Sequence, residues 1–239
     1  MDFVYICREG DNVELRYSLR SIYQNTNVNS VWVVGGKPDW YTGNHIAVPQ
    51  TGGKYQNARA NLQAILDSKS IPDKFVLMND DFYIINPIER IPIYHGGDLA
   101  HKAERYQEFK FSSRHAMLLR ETVKMLKENG VQHPLDYSLH VPMTIHKSLA
   151  QYSLSLGGAF RSVYGNMNRI GGTLLPVHDV KVHLKHIHFP ESYDYKKYAD
   201  DIPFLSSADR SFPTVYRGLL KFRFTEASPW EQVVNLAES

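Results

Sequence analysis

Residues 75–83 read Phe-Val-Leu-Met-Asn-Asp-Asp-Phe-Tyr, an apolar run that leads directly into two adjacent carboxylates. The run has the length of a buried strand and is too short to cross a membrane. Two carboxylates at the end of a buried strand are costly to desolvate unless a cation lies beside them. A hard divalent cation that shares its coordination with substrate phosphates suits such a pair. Asp80 and Asp81 therefore predict a metal–diphosphate site at the carboxyl end of a central strand.

The composition indicates a soluble globular protein and disfavours several functional classes. Apolar residues make up 43% and aromatic residues 12% of 239 positions, enough for a packed core. The formal net charge of +2 gives no strong signal for nucleic acid. The single cysteine, Cys7, excludes an intrachain disulfide framework and a zinc cluster of several thiolates. No membrane span and no signal peptide are recognisable, so we expect a cytoplasmic protein.

Strand and helix patterns alternate through the first half of the chain. Apolar runs predict strands, and apolar side chains at helical spacing predict helices, in the order strand 2–7, helix 14–23, strand 31–34, strand 45–49, helix 57–66 and strand 75–78. This alternation predicts an α/β fold with a mostly parallel central sheet flanked by helices. Ligands of such sheets bind beyond the carboxyl ends of the strands, where Gly35 and the Asp80–Asp81 pair both lie.

The second half of the chain has a less regular pattern. Helical spacing recurs at 114–128, 214–222 and 229–237, and residues 180–190 alternate as a strand does. No repeat, low-complexity stretch or flexible linker separates the halves. We therefore predict a single domain over residues 1–239, with a nucleotide-binding half at 1–90 and an acceptor-side half at 91–239.

The aspartate pair and the histidines each have a functional and a structural interpretation. Asp80 and Asp81 would share a metal only if the strand ends there, and the alternative is a turn held by Asx hydrogen bonds. Of His183, His186 and His188, the last is our candidate for a third, neutral imidazole ligand. The alternative for this group is a strand whose histidines face solvent.

Two further side chains are candidates for chemistry. His140, two residues before Pro142, is a candidate general base, although a lone histidine is more often an ordinary hydrogen-bonded residue. Arg161 lies between Gly157-Gly158 and Gly165, and its guanidinium suits bidentate contact with a diphosphate.

Short motifs follow one another along nearly the whole chain. They are Asp-Phe-Val-Tyr at 2–5, Glu-Leu-Arg-Tyr-Ser-Leu-Arg-Ser-Ile at 14–22, Val-Trp-Val-Val at 31–34 with Pro-Asp-Trp at 38–40, Asn-Asp-Asp-Phe at 79–82, His-Val-Pro at 140–142, Phe-Arg-Ser at 160–162 and Phe-Thr-Glu-Ala-Ser-Pro-Trp-Glu at 224–231. This ordered set resembles the motifs of Stealth-type proteins. These are hexose-1-phosphate transferases of capsule and exopolysaccharide synthesis, related to the lysosomal-enzyme GlcNAc-1-phosphotransferase.

The resemblance implies a GT-A-like α/β core that binds a UDP-sugar together with Mg²⁺ or Mn²⁺. It implies that Asp80 and Asp81 are metal ligands and that His140 is the general base on the acceptor hydroxyl. The metal and the arginines would neutralise charge that develops on the phosphate oxygens. The first half then becomes the nucleotide-sugar-binding half, and the acceptor is a glycan or another hydroxyl compound.

The resemblance also implies which residues contact the donor. Arg16, Arg20 and Arg161 are candidates for its diphosphate, and Arg161 is also assigned to catalysis together with Asp81. Asn79 in the metal motif and Gly35 at the neighbouring strand end complete the predicted donor site.

The chain departs from the family in its first motif. The family usually has Trp-Val-Asp-Gly there, whereas residues 6–11 read Ile-Cys-Arg-Glu-Gly-Asp. The leading hypothesis is transfer of a sugar-1-phosphate from a nucleotide sugar to an acceptor hydroxyl. The alternatives are a GT-A glycosyltransferase that transfers the sugar alone, and a non-catalytic relative that binds a glycan or a nucleotide.

Overall fold

The computed structural model describes residues 1–108, 113–177, 179–183 and 202–232. The chain divides into two compact units. The sheet unit comprises Met1–Ile91, His140–Pro142 and the described part of Val180–Ser239, and the helical unit comprises the described parts of Pro92–Leu139 and Met143–Asp179. The single-domain organisation stays a prediction.

The described residues form short strands and helices that follow the sequence pattern closely in the first half. The strands are β1 (Asp2–Cys7), β2 (Ser30–Gly35), β3 (Asn44–Ala47), β4 (Lys74–Asn79), β5 (Phe82–Ile84), β6 (Tyr94–His95), β7 (Met143–His146), β8 (Thr173–Leu174), β9 (Lys181–Val182) and β10 (Phe204–Ser207). The helices are α1 (Val13–Asn25), α2 (Lys54–Asp67), α3 (Leu99–Glu108), α4 (Ser113–Glu128), α5 (Lys147–Ser155), α6 (Phe160–Met167), α7 (Phe212–Val215) and α8 (Lys221–Arg223), with a π-helical turn at Tyr216–Leu220 between the last two. None of the helices in these described segments is long and apolar enough to cross a membrane.

The main sheet of the sheet unit places β1 between β2 and β4, with β3 beyond β2. These strands are parallel, as the short helical connections predict. Cys7 pairs with Gly35 and Ile6 pairs with Asn79, so three carboxyl ends lie side by side. The predicted α/β fold with a mostly parallel central sheet flanked by helices is confirmed.

Apolar burial on both faces of the sheet explains why these segments form strands and helices. Phe3, Val4 and Val33 are fully buried, as continuous apolar runs predict for strands covered on both sides. Leu15 and Ile22 of α1 are also fully buried. Burying one such side chain stabilises the fold by about 1.5–3 kcal/mol.

Helix α1 also fixes the strand that follows the aspartate pair. Ser18, Ser21 and Asn25 lie on one face of the helix because they are spaced by three and four residues. The Ser18 hydroxyl donates to the carbonyl of Phe82. The N–H of Ile84 donates to Ser21 Oγ at 3.0 Å, and Asn25 Nδ2 donates to the Ile84 carbonyl at 2.7 Å. The polar face of α1 thereby positions β5 and the turn that precedes it.

The helical unit has a core of its own between α3 and α4. Leu99, Leu119 and Leu126 are fully buried there. Helix α6, which contains Gly165 and Asn166, was not predicted from the sequence. Gly165 packs so closely on Tyr137 that an added Cβ would lie 2.4 Å from Cδ2 of that ring.

Candidate functional site

Asp80 and Asp81 form a turn between β4 and β5. Strand β4 belongs to the main parallel sheet, whereas β5 pairs antiparallel with β10 in a smaller sheet. The chain therefore changes sheets at the two carboxylates. This is the bend that both side chains need in order to share one site.

The smaller sheet brings Asp81 together with residues that are distant in sequence. Ser206 on β10 lies opposite Phe82 on one side and Lys181 of β9 on the other. Lys181 Nζ donates to Asp81 Oδ2 at 2.7 Å, and Ser206 Oγ donates to the same oxygen at 3.3 Å. The sequence reasoning missed Lys181, because only the strand pairing places it beside a residue 100 positions earlier.

Asp80 has the largest pKa shift among the carboxyl groups of the described residues. Burial and the negative charge of Asp81 raise the pKa of Asp80 to about 7, while the positive charge of Arg8 opposes this shift. Two adjacent carboxylates that share a partly buried turn cannot both ionise at low cost. A carboxyl group with a strongly raised pKa at the end of a central strand marks a candidate functional site.

Residues 6–11, which depart from the first Stealth motif, begin beside this turn, because Ile6 pairs with Asn79. Burial, followed by the charge of Asp80, raises the pKa of the Cys7 thiol, which accepts a hydrogen bond from Asn12 Nδ2 at 2.9 Å. The Arg8 guanidinium lies 3.5 Å from Asp209, and both side chains are well exposed. An exposed pair of this kind is weak. The positive charge of Arg8 also acts on Asp80.

Gly35, the last residue of β2, and Gly36, which follows it, hold the end of this strand against the end of β1. A Cβ on Gly35 would lie 2.3 Å from the carbonyl oxygen of Cys7, and Gly35 has a φ of +109°. A Cβ on Gly36 would lie 2.4 Å from the N of Glu9 and 2.5 Å from the carbonyl carbon of Arg8. The close approach of the two backbones explains why side chains are absent there, and the predicted donor contact at Gly35 stays a prediction.

Arg16 and Arg20 both bind the buried carboxylate of Glu231. Arg20 makes a bidentate contact, with Nε 2.9 Å from Oε1 and Nη2 2.8 Å from Oε2. Arg16 Nη1 reaches Oε2 at 3.2 Å, and its guanidinium stacks 4.4 Å above the Trp40 ring. The N–H and the hydroxyl of Ser228 donate to Oε1. The structure thus gives both arginines a partner in the protein, and their diphosphate role stays a prediction.

This ion cluster joins three of the segments that resemble family motifs. Arg16 and Arg20 come from 14–22, Trp40 from 38–40 and Glu231 from 224–231. The backbone supports the same junction, since the N–H of Thr42 donates to the Trp230 carbonyl and the N–H of Gln232 donates to the Trp40 carbonyl. These segments therefore have a structural role in addition to their predicted functional one.

The remaining predicted site residues lie in different parts of the chain. The His140 ring meets the Phe82 ring edge-on at 6.4 Å between centroids, so His140 contacts the residue that follows Asp81. Asn79 ends β4 directly before the turn. Arg161 lies in the first turn of α6, in the helical unit. His188 lies outside the described residues.

The described donor set fits a divalent metal poorly. No group of three or more His, Cys, Asp or Glu side chains that could hold a metal occurs within the described ranges. The two carboxylates are hard oxygen ligands, but Asp81 Oδ2 already accepts from Lys181 and Ser206. The Mg²⁺ or Mn²⁺ cofactor stays a prediction that depends in part on His188.

No protein-family model and no curated protein matches the chain. The chain is similar to the solved galactosyltransferase LgtC in complex with donor and acceptor sugar analogs, with 9% identity, a TM-score of 0.45 and 88% of each chain covered. It is also similar to the apo-form glycosyltransferase GlyE of Streptococcus pneumoniae TIGR4, with 11% identity and a TM-score of 0.40. That match covers 86% of this chain, which spans 53% of the GlyE chain. The resemblance to Stealth-type proteins stays a prediction.

Proposed function

We propose that this protein is a transferase that takes a nucleotide sugar, with UDP as the nucleotide, and transfers a sugar-1-phosphate to an acceptor hydroxyl. The observation that carries the proposal is the Asp80–Asp81 turn, where the pKa of Asp80 is raised to about 7 at the carboxyl end of a central parallel strand. A location at the carboxyl end of a central strand is typical of ligand sites in α/β proteins. A strongly raised carboxyl pKa is also common at functional sites.

The charges around the turn support a diphosphate ligand. Lys181 binds Asp81, and the positive charge of Arg8 acts on Asp80, so each of the two carboxyl groups is influenced by a basic side chain. A diphosphate needs cations to neutralise it, and these two side chains supply them from the chain itself. The close contact of the Gly36 backbone with residues 8 and 9 keeps the ends of β1 and β2 together beside the turn.

In the proposed reaction, the oxygen of the acceptor hydroxyl attacks the β-phosphorus of the donor. The bond between this phosphorus and the oxygen that bridges to the α-phosphorus breaks, and UMP leaves with the bonding electrons. The hydroxyl proton passes to a general base, for which His140 is the predicted group. Cations beside the turn stabilise the charge on the phosphate oxygens. Transfer of the sugar alone would instead break the bond at the anomeric carbon and release UDP.

Analysis of the released nucleotide tests the proposal. The full-length protein is incubated with a panel of UDP-sugars and acceptor glycans, with Mn²⁺ or with a chelator, and UMP and UDP are separated by ion-exchange chromatography. We expect UMP from the wild type and a rate lower by a factor on the order of 100 in Asp81→Asn, because Asn lacks the charge that holds the cations. Asp67→Asn, at an exposed position on α2, is the matched control and should leave the rate unchanged.

Three other outcomes would contradict the proposal in different ways. Release of UDP would show transfer of the sugar alone. Absence of release from every donor, with or without Mn²⁺, would favour the non-catalytic relative. A rate that Asp81→Asn leaves unchanged would show that the reaction occurs elsewhere in the molecule.

A further inference from the structure

The ion pair between Lys181 and Asp81 occupies the position where the sequence predicts a divalent metal. Lys181 Nζ lies 2.7 Å from Asp81 Oδ2, and the two side chains are only 18% and 14% exposed. Ser206 Oγ donates to the same oxygen at 3.3 Å. One of the two oxygens with which Asp81 could bind a metal therefore already receives a cationic and a neutral donor.

The fold builds this contact from three strands. The backbone pairing sets Ser206 beside both Lys181 and Phe82, so the lysine is aligned with the residue that follows Asp81. The N–H of Ser207 also donates to the carbonyl of Asp81 at 3.3 Å, which ties the turn itself to β10. The strand pairing in the smaller sheet therefore positions Lys181 beside the turn.

Displacing the lysine would be costly. A metal that took the place of Lys181 would leave the partly buried ammonium without its carboxylate, and an unpaired charge in such a setting is poorly solvated. A metal that binds Asp81 must therefore overcome an existing ion pair as well as shed part of its own hydration. An ammonium group carries three N–H donors, so it can bind a phosphate oxygen while it still holds Asp81.

We propose that Lys181 is the resident cation of this site and that its ammonium, in place of a divalent metal at Asp81, binds the diphosphate of the donor. The inference rests on the proposed function for the identity of the ligand. The competition between Lys181 and a metal for Asp81 does not depend on that function, so it can be tested separately.

Manganese binding tests the competition with no nucleotide present. Free Mn²⁺ is measured by electron paramagnetic resonance during titration of the wild type, Lys181→Met, Lys181→Arg and the control Lys74→Met, which replaces an exposed lysine at the start of β4. We expect Lys181→Met to bind Mn²⁺ about ten-fold more tightly than the wild type, because Asp81 loses its competing cation. Lys181→Arg and Lys74→Met should match the wild type. Equal affinities of Lys181→Met and the wild type would overturn the proposal.

Nucleotide binding tests the second part, with UDP as the probe in calorimetry. In the presence of EDTA we expect the wild type to bind UDP within about three-fold of its affinity in Mn²⁺, and Lys181→Met to bind about ten-fold more weakly in EDTA. A wild type that binds UDP in Mn²⁺ but not in EDTA would overturn the proposal and leave the proposed function standing. Failure of UDP to bind under both conditions would refute both, even if the manganese result holds.

Because Lys181→Met leaves the partly buried Asp81 carboxylate without its cation, the fold of this variant is checked by circular dichroism. The double variant Asp81→Asn/Lys181→Met removes both charges and keeps the size of the side chains. If Lys181→Met fails to fold, the wild-type comparison of UDP binding in EDTA and in Mn²⁺ still decides the proposal. Tight Mn²⁺ binding by the double variant would contradict the assignment of the ion to Asp81.

Discussion

Two charged clusters of the sheet unit have opposite electrostatic properties. In the arginine–glutamate cluster, formed by Arg16, Arg20 and Glu231, burial would raise the pKa of the carboxyl group, but hydrogen bonds from Arg20 and Ser228 outweigh it and lower the pKa. In the aspartate turn, formed by Asp80 and Asp81, burial and like charge raise the pKa of Asp80 to about 7. In the arginine–glutamate cluster, several donors stabilise one carboxylate. In the aspartate turn, two carboxyl groups lie next to each other.

The difference separates charges that stabilise the fold from charges that are suited to a ligand. Glu231 joins α1 to the C-terminal segment and is fully engaged by partners within the protein. Asp80 has no cation in ion-pair contact among the described residues, and the nearby Arg8 is largely exposed. A partly buried acid that the protein leaves under-compensated is the feature expected where a ligand or ion completes the charge balance.

The largest effect should come from breaking the arginine–glutamate cluster. Glu231→Ala leaves two partly buried guanidinium groups without their carboxylate, and we expect the free energy of unfolding to fall by about 3 kcal/mol or more. Urea unfolding followed by circular dichroism measures it, with Glu226→Ala at an exposed position as the control. Because the pKa of Glu231 is lowered, its contribution is present above the ordinary glutamate pKa and is lost as the pH falls through the lowered value. A loss below about 1 kcal/mol would show that the cluster is not a stabilising one.

A smaller effect is expected from the backbone contact beside the aspartate turn. Gly36→Ala places a Cβ within 2.6 Å of backbone atoms of Arg8 and Glu9, and such overpacking costs about 1–3 kcal/mol. Gly218→Ala is the matched control, because nothing lies within 4 Å of its added Cβ. Thermal unfolding should show a lower midpoint for Gly36→Ala and an unchanged or higher one for Gly218→Ala. Equal midpoints for both variants would rule out the tight contact.

The polar face of α1 should contribute about as much through a single hydrogen bond. Asn25→Ala removes the donor to the Ile84 carbonyl in a buried setting, which costs about 1–2 kcal/mol. Gln24→Ala, on the exposed side of the same helix, should cost little. Unfolding by urea distinguishes them, and hydrogen exchange at β5 amides should accelerate in Asn25→Ala alone. Equal protection of β5 in both variants would contradict the role assigned to α1.

Asp80→Asn should change the stability with the opposite sign. The raised pKa means that the folded protein keeps a proton that the unfolded chain releases, so stability falls as the pH rises from about 4 to about 7. The amide introduced by this substitution does not titrate, so we expect the variant to match the wild type in stability near pH 4 and to exceed it at pH 8, by about 1.4 kcal/mol for each unit by which the pKa of Asp80 is raised. Unfolding by urea at the two pH values measures this. The same difference in stability at both pH values would contradict the raised pKa of Asp80.

The sequence predicted the elements whose apolar pattern is local and strong. Strands β1, β2 and β4 and helices α1 and α2 lie where the spacing of their apolar residues predicts them. Helix α6 was missed because Gly165 and Asn166 are poor helix formers. Their tertiary contacts outweigh propensity, since Asn166 accepts from the Leu135 N–H and donates to its carbonyl.

The sequence predicted only those parts of the candidate site that neighbouring residues form. The adjacent carboxylates are visible in the sequence, and so is the end of the strand before them. The partners are not, because Lys181 lies 100 residues from Asp81 and Glu231 lies 211 residues from Arg20. Pairings at such separations depend on strand order, which no periodicity in the sequence contains.

Mapping of UDP on the protein by nuclear magnetic resonance tests the central claim most directly. Backbone amide signals of the ¹⁵N-labelled protein are followed during titration with UDP in the presence of EDTA. If the aspartate turn is the donor site, the amides of Asp81, Lys181, Ser206 and Gly36 should shift together, while those of Ser228 and Glu231 stay in place. Shifts confined to the arginine–glutamate cluster, or no shift at the aspartate turn, would contradict the account.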